Sequence, residues 1–235
     1  MTLKLMTKDE NFIVDASKQL IPRQKLAKII EYLEGTNFTK VLAEMKNKKL
    51  VNYSEQRMVL HIALRDQKNK LVNDEKITND VNDVLKRMGD FVDKIHSGEF
   101  KGYTGKKFKY FVNIGIGGSD LGPHMACNAL QPYSLGHIEC YFVSNVDANH
   151  LMQVFDRIDI EETLFGVCSK TFTTRETLMN AMAARRLVFE HFKSDAQQIV
   201  EKHFCALSAN LEETSKFGID SSRVFEFWDV IIKHF

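Results

Sequence analysis

Two short segments of the 235-residue chain gather groups that could hold an anion. The first is GIGGS at residues 115–119, where glycine fills three of the first four positions. Glycine lets the backbone take angles that a Cβ forbids and lets amides come close to a ligand. The second is SKTFTT at residues 169–174, where Ser169, Thr171, Thr173 and Thr174 supply four hydroxyls and Lys170 an ammonium. Hydroxyls and amides at the start of a helix satisfy phosphate oxygens, and the helix dipole adds partial positive charge.

Neither segment is a nucleotide motif. A dinucleotide fingerprint aligned on Gly115 and Gly117 needs glycine at position 120, where Asp120 would repel a pyrophosphate. A P-loop beginning at Gly117 reaches Gly122 but then meets Pro123 and His124 instead of lysine and a hydroxyl. A tight turn between strand and helix would also explain the glycines. In the second segment Thr173 and Glu176 have capping-box spacing, which starts a helix at Thr174 and leaves Ser169, Thr171 and Thr174 for other work. Asp120, Asp147 and Glu176 are acids near the strand ends, with capping and turn formation as their expected roles.

The elements that must position these segments follow from apolar patterning. Residues 110–114 form a short apolar run before the glycines, residues 140–143 a second and residues 164–168 a third. Helices are expected over residues 121–130, around residues 148–155, and through Leu178, Met182, Val188 and Phe192. This alternation implies a parallel sheet with right-handed crossovers. With strand order 2-1-3, the first and third strands are neighbours, and the crevice above them receives both special segments.

The first hundred residues read as helices. One follows Pro22 and stops at Gly35, with Leu26, Ile29, Ile30 and Leu33 on one face. Another is expected from an N-cap at Ser54 to about Arg65. The clearest follows Thr78, with Val81, Val84, Leu85, Met88, Val92 and Ile95 as its packing face and Gly98 as its cap. Lys86, Arg87, Asp90 and Lys94 form its solvated face. The glycines and charges of KGYTGKK, residues 101–107, mark a boundary between a helical region, residues 1–100, and an α/β domain, residues 101–235.

Composition narrows the function classes. Thirty-two Lys and Arg against 31 Asp and Glu leave a formal charge of +1, so there is no broad basic field for nucleic acid or an anionic membrane. A small anion at one focused site is compatible with that balance. Cys127, Cys140, Cys168 and Cys205 lie far apart without C-x-x-C pairing and are expected to be reduced, core-packed thiols. The eight histidines lack metal-ligand spacing, so no metal is expected. The N-terminal stretch lacks the apolar core of a signal peptide, which gives cytoplasmic as the expected location.

The run NIGIGGSDLGP at residues 113–123, together with SKTFTT, closely resembles the glucose-6-phosphate isomerase family. The similarity spans residues 12–229 and includes LHIALR (60–65), KGYTG (101–105), FVSN (142–145), FGID (217–220) and FEFWD (225–229). It implies a parallel sheet of sugar-isomerase (SIS, flavodoxin-like) type with helices on both faces, preceded by a helical region. It implies an aldose–ketose isomerase that interconverts glucose 6-phosphate and fructose 6-phosphate without metal or cofactor, in a family of homodimers. By motif, Ser169, Thr171 and Thr174 hold phosphate with Lys170, and Gly118 and Ser119 contact substrate. Phe172 and Thr173 belong to the same substrate-binding segment. The family's catalytic glutamate, histidine, arginine and lysine match no position here, so no catalytic residue is assigned. A non-catalytic sugar-phosphate-binding module is the alternative. Without the rest of a family chain, Phe225, Phe227 and Trp228 are expected to lack packing partners.

Overall fold

Contacts divide the chain into two compact units, residues 1–59 and residues 60–235. The computed structural model describes residues 6–8, 13–54, 56–66, 68–70 and 72–228. In the smaller unit, β1 (Met6–Lys8) pairs antiparallel with β2 (Ile13–Asp15), and α1 (Arg23–Gly35) and α2 (Phe38–Lys46) follow. Pro22 sits at the N-cap of α1, where its fixed φ and missing N–H cost nothing. The apolar stripe of α1 is not core, because no residue of that helix is buried. The helix expected from Ser54 does not form. The Ser54 hydroxyl donates to Asn52 Oδ1 at 2.8 Å, and only a 3-10 turn, His61–Arg65, appears further on.

In the larger unit α3 (Glu75–Ser97) starts at Asp74, whose carboxylate accepts the Ile77 amide at 3.2 Å, and Gly98 caps its end at φ 77°. Thr78 therefore lies within the first turn and does not begin the helix. Val84, Met88, Phe91 and Ile95 pack against Phe108, Leu164, Cys205 and Phe225. Leu85 and Val92 turn outward instead. Arg87 also departs from its expected solvated role: it donates to the Val224 carbonyl at 2.6 Å.

Five parallel strands follow: β3 (Tyr110–Ile114), β4 (Glu139–Val143), β5 (Thr163–Cys168), β6 (Phe204–Ser208) and β7 (Val224–Glu226). Their order is β4-β3-β5-β6-β7, so the expected 2-1-3 arrangement stands, extended by two strands. The helices between them are α4 (Leu121–Leu130), α5 (Ala148–Phe155), α6 (Arg175–Phe192), α7 (Gln197–His203) and α8 (Leu211–Phe217). Every residue of β5 is buried, as a strand covered on both faces requires. On one face Val112, Ile114, Phe165 and Val167 meet Ala181, Ala184 and Val188 of α6; the other face meets α3.

Phe225 is 5% exposed and its ring lies 5.4 Å from that of Phe91, so it has the partners expected to be missing. Cys168 and Cys205 are buried, whereas Cys127 and Cys140 are exposed and are not core thiols. Among the described residues no helix is long and apolar enough to cross a membrane.

Candidate functional site

The sheet order reverses between β3 and β5, and the two special segments leave the ends of those two strands. After β3, residues Gly117–Ser119 form one 3-10 turn that runs directly into α4. Gly115 is required by close approach: a Cβ there would come within 2.7 Å of the Ser119 carbonyl oxygen and 3.1 Å of that of Cys168. Gly117 takes φ +57°, which side chains rarely adopt. Chain geometry thus explains two of the three glycines, leaving Gly118 as the one that faces a cavity.

Asn113, buried on β3, locks the arrangement. Its Nδ2 donates to the Ser119 carbonyl at 3.0 Å, and the Cys168 thiol donates to its Oδ1 at 3.0 Å. One side chain therefore ties the glycine turn to the end of β5. The second segment is pinned through its carbonyls: the Ala209 amide and the Ser208 hydroxyl both reach the Lys170 oxygen, at 2.9 and 3.1 Å. Asn210 Nδ2 donates to the Thr171 oxygen at 3.0 Å.

Between the segments lies a cavity of about 140 Å³ lined by Ile116, Gly118, Ser119, Cys168, Ser169, Lys170, Thr174 and Thr177. Gly118, Ser119, Ser169, Lys170 and Thr174 are thus brought together around one space. Thr177, one helical turn beyond Thr174, was not anticipated, although its i+3 spacing from Thr174 carried the signal. Ile116 and Cys168 were missed as well, being apolar or core by type. The expected capping box is absent. Thr174 itself is the N-cap of α6, without a side-chain capping bond, and the Thr173 hydroxyl donates to that of Thr171 at 2.7 Å. Thr171 and Thr173 lie outside the lining. Phe172, at φ 53° and 1% exposed, turns its ring into the core against Phe217 and lies outside the lining.

The N-terminus of α6 opens on this cavity through Thr174 and Thr177 and contributes roughly half a positive charge. Lys170 adds a full one. A space of this size is below the roughly 300–1,000 Å³ of clefts that enclose a whole small molecule. It suits one compact anionic group whose remainder extends outward. Among the described residues lining it there is no carboxylate and no imidazole. Asp120 is 4% exposed but does not cap α4, and its Oδ1 has no hydrogen-bond partner among the described residues. Asp147 does cap, accepting the Asn149 amide at 2.9 Å. A larger cavity of about 400 Å³ lies under α3, but its walls are almost entirely apolar and it lacks convergent polar groups.

Comparison with known proteins places this geometry. A solved glucose-6-phosphate isomerase from Chlamydia trachomatis superposes with a TM-score of 0.74 at 26% identity, covering 97% of this chain and 43% of that one. A hypothetical protein from Thermus thermophilus, 18% identical, shares the fold at a TM-score of 0.55 over 88% of this chain and 43% of its own. A curated glucose-6-phosphate isomerase from Nitrosospira multiformis is 46% identical over 218 residues, 92% of this chain. The chain spans 40% of that relative's length. The model of the phosphoglucose isomerase family matches residues 15–234, nearly the whole chain, and with the sheet, the switch point and both special segments in place, the chain belongs to the phosphoglucose isomerase family.

Proposed function

We propose that this chain supplies the phosphate anchor of an aldose–ketose isomerase that interconverts glucose 6-phosphate and fructose 6-phosphate. The observation that carries the reading is the cavity between the glycine turn and the hydroxyl segment, with Lys170 and the N-terminus of α6 in its wall. Ser169 and Thr174 hold phosphate oxygens, with Lys170 giving charge and Gly118 and Ser119 closing the opposite wall. Thr171, Phe172 and Thr173 belong to the same segment outside the lining, and on this reading they meet the part of the substrate that extends beyond the cavity. Residues 101–235 act as the sugar-phosphate-binding domain, and the partner is a small molecule and not a nucleic acid. No cofactor or metal is invoked.

Proton transfer between adjacent carbons needs a positioned base, and the lining offers none. Phosphate binding stabilises substrate and transition state about equally, so the anchor alone does not lower the barrier. On this reading the chain by itself binds sugar phosphate and does not turn it over, which also favours the non-catalytic module as the description of the isolated chain. Calorimetry with glucose 6-phosphate and with glucose tests the anchor: binding of the phosphate ester alone is expected, and equal affinities would refute it. A coupled assay on protein free of host isomerase tests the second part, with clear turnover as the overturning result.

A further inference from the structure

Helix α4 connects two parallel neighbouring strands, β3 and β4, so it runs back antiparallel to both. Moving forward along the helix therefore moves backward along β4. His124 of α4 stacks on Phe142 of β4, ring centroids 4.4 Å apart and planes 10° apart, which fixes the register of helix on strand. Three residues further on the helix, about 4.5 Å along its axis, is Cys127. Two residues back on the strand, on the same face and about 6.6 Å along it, is Cys140. The register thus brings the two thiols side by side, close enough for Cys127 to bear on the ionisation of Cys140. Both residues are free cysteines.

From this register we infer that Cys127 and Cys140 form a redox-active dithiol, closed to a disulfide by mild oxidants such as hydrogen peroxide. The helix can accommodate the bond because none of its residues is buried, so no core packing resists the small approach that disulfide geometry demands. Although Cys140 is exposed as a residue, partial desolvation of its thiol, then the neighbouring Cys127, pushes it up to about 11. Cys140 is thus a poor first nucleophile at neutral pH, and Cys127 takes that role. The Cys127 thiolate attacks one peroxide oxygen, the O–O bond breaks, and hydroxide leaves as water after gaining a proton. The resulting sulfenic acid is attacked by the Cys140 sulfur; the S–S bond forms and the hydroxyl departs as a second water. Two thiols lose two protons and two electrons, and one peroxide becomes two waters. In a reducing compartment such a bond is transient and reversible.

The test is peptide mapping by mass spectrometry of the full chain after brief peroxide treatment, in native buffer and in urea. A cross-linked peptide joining Cys127 to Cys140 is expected to dominate the native sample, to disappear with dithiothreitol, and to give way to mixed pairings in urea. Cys140→Ser should leave Cys127 as a sulfenic acid that dimedone traps. The inference is overturned if both thiols stay free in the native sample, if either pairs mainly with Cys168 or Cys205, or if urea leaves the pairing unchanged.

Discussion

The backbone amide of Tyr103 donates to Nε2 of His203 at 3.0 Å, joining positions 100 residues apart. Nδ1 of the same ring lies 2.8 Å from the Thr163 carbonyl oxygen. An amide only donates and a carbonyl only accepts, so the imidazole is neutral with its proton on Nδ1. Gly102 makes the approach possible: a Cβ there would come within 2.5 Å of the Glu161 carbonyl oxygen and 3.1 Å of His203 Cε1.

Stability should consequently depend on pH. Burial, opposed by the Thr163 carbonyl and Glu161, holds His203 below the ordinary 6.5. A depressed histidine leaves stability intact above that value and removes it as pH falls below, because the unfolded chain accepts a proton that the folded ring resists. The loss is about 1.4 kcal/mol per pH unit until the folded ring also titrates. Urea unfolding from neutral to mildly acidic pH reads it, and His203→Gln should flatten the profile. Parallel profiles for the two proteins would remove His203 as the cause.

Gly118→Val should abolish glucose 6-phosphate binding while leaving the circular dichroism spectrum unchanged. Gly118 lines a space of only about 140 Å³, which leaves little room for an isopropyl group beside a ligand. Retained binding would mean that the turn serves the chain and not a ligand.

Asn113→Ala should weaken phosphate binding without removing any ligand contact, since Asn113 acts only through Ser119 and Cys168. Losing it leaves a partly buried carbonyl without this donor, at a cost of about 1 kcal/mol. Both a lower melting temperature and a raised dissociation constant are expected. A variant that melts early but binds normally would confine Asn113 to stability.

Arg87→Ala should destabilise the larger unit by about 1.5–3 kcal/mol, the range for a hydrogen bond to a charged group. Its guanidinium spans from α3 to the carbonyls of Val224 at 2.6 Å and Ser221 at 3.4 Å. Lys86→Ala, which removes only an exposed pair with Asp90, should leave the urea midpoint unmoved. Equal effects from the two substitutions would contradict the assignment.

Strand β3 and helices α4 and α5 were legible because apolar runs there are punctuated by glycine or by a capping acid. Strand β6 was not, because α7 ends at His203 and β6 begins at Phe204 with no turn residue between them. The strands β1, β2 and β7 have three residues each, too few for an alternation to register. Residue type picked out Ser169, Lys170 and Thr174, which line the cavity, but put the helix N-cap at Thr173 where the structure has Thr174. Whether a hydroxyl faces the cavity or its neighbour depends on where α6 begins, and the capping-box spacing placed that start one residue early.

The strand order also sets a timetable for synthesis. β3 is an interior strand, yet its partner β5 is encoded 53 positions later, Tyr110 pairing with Thr163. At roughly 5–20 residues per second, β3 waits about 3–10 s after leaving the ribosome before β5 arrives. During that interval β4 can join β3 on one side, but the apolar edge that becomes the middle of the sheet has no strand to meet. Until β5 arrives, that unpaired edge is open to association with other chains.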